Sequence, residues 1–136
     1  MASYVIDSSV LIALLADEPE ADGFKRYIDN NIEALVSAAT IFEAACVASN
    51  NRFADGAVRL QHIVRLIDPE ILPFDLGQMT TATEAYARFG RGSGHNAKLN
   101  MGDCFSYALA KSRNLPLLFK GNDFIHTDIQ SAMPVK

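Results

Sequence analysis

Short apolar runs alternate with helix-like stretches along the whole chain, and nowhere are two runs joined by a hairpin signal. The runs are Tyr4–Ile6, Ala34–Ser37, Ile71–Phe74, Leu115–Phe119 and Thr127–Ile129. Between them lie segments whose apolar residues recur at helical spacing, such as Met79, Ala82, Ala85, Tyr86 and Phe89. Strands separated by helices pair in parallel through crossovers, with helices on both faces of the sheet. The expected fold is therefore α/β, a three-layer α/β/α sandwich around a parallel five-stranded sheet. With 136 residues, 49% of them hydrophobic, the chain suffices for one domain spanning 1–136 with a core of its own.

Helix boundaries follow from local chemistry. Asp7-Ser8-Ser9 closes the first strand, and Ser8 or Ser9 can cap a helix over about Val10–Ala16. Pro19 suits the first turn of a second helix. Asp68-Pro69 stops the helix of about Asp55–Leu66, and Asp75 caps the one over Leu76–Phe89. Pro73 places its strand at a sheet edge or a strand end. The glycine-rich basic stretch from Gly90 to Asn100 is the one long irregular segment. Asn100 or Gly102 opens the helix that runs on to Arg113. Phe24, Tyr27, Ile28, Phe53 and the Met79–Phe89 stripe read as core, although sequence alone does not separate core from an interface.

Composition narrows the function. No apolar run approaches the ~20 residues that span a bilayer, and no signal-peptide pattern opens the chain, so a cytoplasmic protein is expected. Cys46 and Cys104 read as reduced, buried thiols. The net charge is −4 and the isoelectric point about 5.2. A protein that holds nucleic acid by charge alone is basic. Any phosphate partner must here meet a local basic patch or a metal ion.

Placing the strands sends four acids to one edge of the sheet. Asp7 ends the first strand, Glu43 lies in the helix after the second, Asp103 opens the helix after the basic loop, and Asp123 follows the fourth strand. Each has an ordinary reading by itself: a cap, a first-turn charge or a turn residue. Together, at the edge where α/β folds bind ligands, they suit a metal. Oxygen ligands select hard cations such as Mg²⁺ or Mn²⁺, and such ions serve phosphodiester hydrolysis. Asp128 is a fifth member or, more simply, a structural cap. Arg91 and Lys98 in the basic loop are candidates for positioning RNA phosphates, against the plain alternative of a solvated loop. His62 and His126 have no partner at ligand spacing, and Ser8 and Ser9 lack a histidine–acid pattern for nucleophilic catalysis.

The stretches Val5-Ile-Asp-Ser-Ser9, Ser37-Ala-Ala-Thr-Ile-Phe-Glu43, Leu99-Asn-Met-Gly-Asp-Cys-Phe-Ser-Tyr-Ala-Leu-Ala110 and Leu117-Leu-Phe-Lys-Gly-Asn-Asp-Phe124 resemble, in order and over essentially the whole chain, those of PIN-domain ribonucleases. More narrowly they resemble VapC toxins of VapBC toxin–antitoxin modules. The resemblance implies strand order 3-2-1-4-5 and RNA cleavage dependent on Mg²⁺ or Mn²⁺. It makes Asp7, Glu43, Asp103 and Asp123 the acidic quartet, with Asp7 and Asp103 as the main metal ligands. Ser9, Thr40 and Asn122 become supporting residues. It also implies a cognate VapB-type antitoxin that occludes the site, a homodimer or larger complex, and contact with operator DNA only through the antitoxin.

Three other readings are open at this point. A receiver-like phosphotransfer domain also carries aspartates at strand ends, but Glu43 in a helix fits it poorly. A haloacid-type phosphatase would have an aspartate where Ser9 stands. A non-catalytic module could use the acids to dock a basic partner.

Overall fold

The computed structural model describes residues 3–31 and 33–133. In chain order the elements are β1 (Ser3–Ile6), α1 (Ser8–Leu15), α2 (Ala21–Asn30), β2 (Glu33–Ser37), α3 (Ala38–Ala48), α4 (Gly56–Ile67), β3 (Glu70–Leu72), α5 (Leu76–Phe89), α6 (Met101–Arg113) and β4 (Leu117–Leu118). The sheet is parallel throughout, in the order β3-β2-β1-β4. Val5 pairs with Leu35 on one side and Leu117 on the other.

The two-residue period of β1 sorts the layers. Val5 joins Leu35, Leu117, Phe89, Tyr107 and Leu109 in one buried cluster, under α5 and α6. Tyr4 and Ile6 join Val36, Val10, Leu11, Phe24, Ala44 and Leu60 in the other, under α1 to α4. Small residues on α3, Ala44 and Ala48, are fully buried and let that helix lie close to the sheet.

The expected fifth strand is the one departure in topology: four strands form among the described residues. Thr127–Ile129 is a turn, in which the Thr127 N–H donates to Phe124 O and the Ile129 N–H to Thr127 Oγ1. The chain meets β4 two residues later, where Leu117 and Ser131 form a single parallel bridge. β4 has only two residues, and Leu118 turns its carbonyl to the Asp7 N–H. Leu117 alone is left to face outward, accepting from Ala132 and donating to Gln130. One residue supports a bridge but not a ladder. Pro73 falls just past β3, the opposite edge strand, as its missing N–H requires.

The stripe on α5 divides. Ala82, Ala85 and Phe89 are buried, whereas Met79 and Tyr86 stand 48% and 44% exposed, on a face turned away from the sheet. Cys104 is a buried free thiol, but Cys46 is exposed, which corrects the expectation that both are core residues. No helix among the described residues is long and apolar enough to cross a membrane.

Candidate functional site

Strand order positions the site. From β1 the chain steps outward to β2 and β3, then crosses back to place β4 on the other side of β1. The crevice at such a reversal, beyond the carboxyl ends of the strands, is where open α/β sheets hold ligands. Asp7 stands there after β1, and the Lys120–Asp123 loop stands there after β4.

Asp7 is 3% exposed, and both its carboxylate oxygens are hydrogen-bonded. Its Oδ2 accepts from the Ser9 amide at 3.1 Å and the Ser9 hydroxyl at 2.6 Å. Its Oδ1 accepts from the Ser106 hydroxyl of α6. The side chain is therefore also the N-cap of α1, the position expected of Ser8 or Ser9. Capping and site membership are one geometry here. Ser9 extends it, because its Oγ accepts from the Lys120 N–H at 3.0 Å and so ties the loop after β4 to the end of β1. Thr40 of α3, wholly buried, reaches the group through Ser106, 3.5 Å away.

Glu43 and Asp103 come from opposite layers. Glu43, on α3, lies against Gly102 at the start of α6. A Cβ on Gly102 would fall 1.7 Å from Glu43 Oε2, so any larger residue would push the Glu43 carboxylate out of its present place. The Glu43 Oε1 atom is buried and has no hydrogen-bond partner. Asp103 forms a capping box with Asn100: its Oδ2 accepts from the Asn100 N–H at 3.0 Å, and its own N–H donates to Asn100 Oδ1 at 2.8 Å.

The buried Asp7 and Asp103 and the half-buried Glu43 carry charge at a cost. Burial pushes the Asp103 carboxyl from the usual 3.8 up to about 7, and the charges of Asp7 and Asp123 push the same way, against the Asn100 N–H. Burial likewise raises Asp7 against its hydroxyl donors. It raises Glu43 too, helped by the Asp7 charge and opposed by the Ser8 hydroxyl. Carboxylates that repel one another in a desolvated crevice, one with an orphaned oxygen, form a donor set that a hard cation would satisfy. Asp103 Oδ1, Glu43 Oε1 and the remaining lone pair of Asp7 Oδ1 are the atoms free to hold it. The acids are not drawn into a ready-made cage, however: no three of the described histidine, cysteine and acidic side chains sit at coordinating separation.

The other candidates lie further out. Asp123 is exposed, and its charge adds to the rise of the Asp103 carboxyl. Asn122 is exposed and lines a groove of ≈ 710 Å³ with Pro19, Arg26 and Met133. Arg91 and Lys98 are exposed on the glycine-rich loop, whose base is closed by the Arg91 N–H to Leu99 O and the Leu99 N–H to Phe89 O. Asp128 belongs to neither the quartet nor a cap. It accepts from the Tyr107 hydroxyl and pairs with Lys111, both at 2.7 Å. Lys120 turns to Glu18 and Glu20, 3.0 and 3.7 Å away.

Sequence reasoning missed three participants. Ser106 follows Asp103 by one helical turn, a spacing that puts both on one face and was available as a signal. Gly102 read only as a helix opener, since nothing local announces that Glu43 presses on it. Ser8 read only as a cap.

Likeness to known proteins agrees with this geometry. The sequence profile of the PIN domain family, described as "PIN domain", matches residues 4–130. Ribonuclease VapC28 of Mycobacterium tuberculosis is 41% identical over 129 residues, covering 95% of this chain and 97% of that protein. Ribonuclease VapC30 of the same organism is 40% identical over 131 residues, covering 96% and 99%. In structure, the chain resembles M. tuberculosis VapC20, a sarcin–ricin loop cleaving toxin, with a TM-score of 0.77 over 96% of this chain and 99% of that one, at 16% identity. It also resembles the DNA-bound VapBC of Salmonella typhimurium, with a TM-score of 0.70 at 20% identity, covering 96% and 97%. The chain belongs to the PIN domain family, among its VapC ribonucleases.

Proposed function

We propose that this chain is a metal-dependent endoribonuclease, hydrolysing RNA phosphodiester bonds at the crevice of Asp7, Glu43, Asp103 and Asp123. The observation that carries the reading is the convergence of two buried carboxylates, Asp7 and Asp103, and the half-buried Glu43 of α3 on one crevice, with Glu43 Oε1 left unpartnered. Capping explains where Asp7 and Asp103 stand but not why Glu43 joins them with an oxygen left unpartnered, since uncompensated desolvated charge destabilises a fold. The 41% identity to proteins named VapC ribonucleases supports RNA as the substrate.

Bound Mg²⁺ or Mn²⁺ would supply neutralising charge and an acidified water beside the scissile phosphate. The chain's own residues do the rest. Ser9 and Ser106 fix the plane of the Asp7 carboxylate, leaving an Oδ1 lone pair to face the crevice. The capping box holds Asp103 to the first turn of α6, so its Oδ1 has one direction available. Gly102 lets Glu43 approach that turn from α3. Asp123, exposed on the loop after β4, completes the acidic quartet. Thr40 and Asn122 support the quartet, Thr40 through Ser106 and Asn122 from the adjoining loop.

The same reading makes the chain the toxin of a toxin–antitoxin pair, held inactive by a cognate antitoxin. Its structural neighbours include VapBC and FitAB assemblies, several bound to DNA. An antitoxin segment with a basic side chain would satisfy the acids in the absence of metal. The proposal is tested by incubating the purified, antitoxin-free chain with RNA in Mg²⁺ or Mn²⁺. Cleavage that stops on chelation and on adding the antitoxin is expected. Cleavage undiminished by chelator refutes the metal assignment.

A further inference from the structure

Asp7 and Asp103 are fixed by caps and Glu43 by a helix, but Asp123 rides on the loop after β4. Among the described residues, no N–H or carbonyl from Phe119 to Asp123 enters a backbone–backbone hydrogen bond. Phe119 and Phe124 anchor the two ends of the loop by packing their rings 5.1 Å apart. Between them Gly121 turns the chain at φ +95°, and Asn122 stands exposed. A groove of ≈ 710 Å³ opens beside Lys120, Gly121 and Asn122, so packing does not support the loop from that side. A span with so few fastenings opens easily, yet a constellation of acids works only when each carboxylate is held in place.

Lys120 supplies a fastening through both its backbone and its side chain. Its N–H donates to Ser9 Oγ at 3.0 Å, and the Ser9 hydroxyl donates to Asp7 Oδ2 at 2.6 Å, so the loop hangs from the end of β1. Its ammonium lies 3.0 Å from Glu18 and 3.7 Å from Glu20, in the turn between α1 and α2. That turn is well tied: the Glu18 N–H donates to Ala13 O, the Glu18 carbonyl accepts from the Ala21 N–H, and the Glu20 carbonyl accepts from the Phe24 N–H. Acids just before α2 are favourable at a helix N-terminus, which accounts for the glutamates but not for the lysine that reaches across to them. We infer that Lys120 is a positioning residue, whose ion pairs with Glu18 and Glu20 latch the loop after β4 to the α1–α2 turn and so hold Asp123 at the acid crevice. A lone exposed pair contributes little. Here two acids share one ammonium, and Lys120 and Glu18 are each only about a third exposed. What the latch governs is the place of four residues rather than the stability of the whole fold. This inference rests on the ribonuclease reading above and adds to it a residue outside the quartet.

The test uses the intact chain carrying Lys120→Met, Lys120→Arg, the pair Glu18→Gln and Glu20→Gln, or Lys120→Met together with that pair. Lys120→Met keeps the N–H that meets Ser9 and removes only the charge. Order parameters of the Gly121, Asn122 and Asp123 amides are measured by nuclear magnetic resonance on the metal-free chain, and steady-state RNA cleavage is measured in Mn²⁺. In Lys120→Met the order parameters should fall from roughly 0.85 to 0.6 or below, while those of the helices stay at parent values. Its kcat should drop roughly three- to tenfold, with KM and the salt dependence of RNA binding nearly unchanged. The glutamine pair should reproduce both effects, and the combined variant should lose no more than either, as members of one interaction do. Lys120→Arg, still able to bridge both acids, should keep most of the rate. Unchanged order parameters and kcat in Lys120→Met overturn the latch while leaving the nuclease standing. A raised KM and a flatter salt slope in Lys120→Met, with the glutamine pair silent, also overturn it and assign Lys120 to an RNA phosphate. A parent chain that cleaves no RNA refutes the ribonuclease reading alone, because the amides of the metal-free chain report on the latch without it.

Discussion

If the acid crevice is built for a cation, the metal-free protein should be least stable at the pH where it works, and removing a key acid should stabilise it. Asp103 makes the point sharpest. It is 8% exposed, and its carboxyl is raised from 3.8 to about 7 in the folded chain. A folded pKa above the unfolded one means that the native state binds the extra proton between those values. Stability then falls as pH rises from about 4 to 7, and stays low above. Three pH units at about 1.4 kcal/mol each give roughly 4 kcal/mol as the ceiling. Asp7 and Glu43 shift in the same direction and reinforce the trend. Asp128, which is lowered, acts only below its ordinary range and leaves this window untouched.

Asp103→Asn removes the charge and keeps an oxygen to accept the Asn100 N–H. The weaker neutral acceptor costs about 1 kcal/mol, so the variant should gain roughly 2–3 kcal/mol at pH 8. For a domain of this size that is roughly 5–10 °C in Tm. Thermal unfolding followed by circular dichroism, with chelator present, should show the variant melting above the parent at pH 8 and level with it near pH 4.5. Adding Mn²⁺ at pH 8 should raise the parent and leave the variant nearly unmoved. A variant that is less stable than the parent at pH 8, or a parent equally stable at both pH values, would refute the reasoning.

Three further outcomes follow from the same geometry. Gly102→Ala drives a methyl group into Glu43, so it should cost roughly 1–3 kcal/mol in urea unfolding and abolish cleavage even where the fold survives. Ser106→Ala strips Asp7 Oδ1 of its donor and takes away the hydroxyl beside Thr40; removing a bond to a buried carboxylate should lower stability by about 1.5–3 kcal/mol, and kcat should drop more than KM rises. Arg91→Ala with Lys98→Ala should weaken RNA binding and flatten its salt dependence by about one unit of slope for each phosphate that no longer meets a cation. An unchanged slope would return the loop to plain solvated surface.

Much of the fold and site is legible in the chain because it is local. The alternation of apolar runs and helical periods sets the parallel sheet, and the candidate acids Asp7, Glu43, Asp103 and Asp123 fall just past strand ends or in the first two turns of helices, where spacing brings them to one edge. What stays hidden depends on distant segments meeting. Gly102 matters only because α3 and α6 meet from opposite layers, and Ser106 because its hydroxyl reaches an aspartate 99 residues away. The fifth strand fails for a similar reason. Thr127–Ile129 has the residues of a strand, but β4 is two residues long, and only Leu117 could pair outward. Asp128 is drawn off by Tyr107 and Lys111, partners that no spacing rule connects to it. Met79 and Tyr86 keep helical register but face water, since periodicity shows an apolar face without saying what covers it.

We propose that Asp7 and its neighbours hold the ion on which RNA cleavage depends. It is tested most directly by measuring Mn²⁺ affinity calorimetrically, and RNA cleavage in the same buffer, for the parent chain and for Asp7→Asn. The parent should bind Mn²⁺ and cut, while the variant should keep its circular dichroism spectrum but lose both binding and cleavage. A folded Asp7→Asn protein that cleaves RNA at the parent's rate would contradict it.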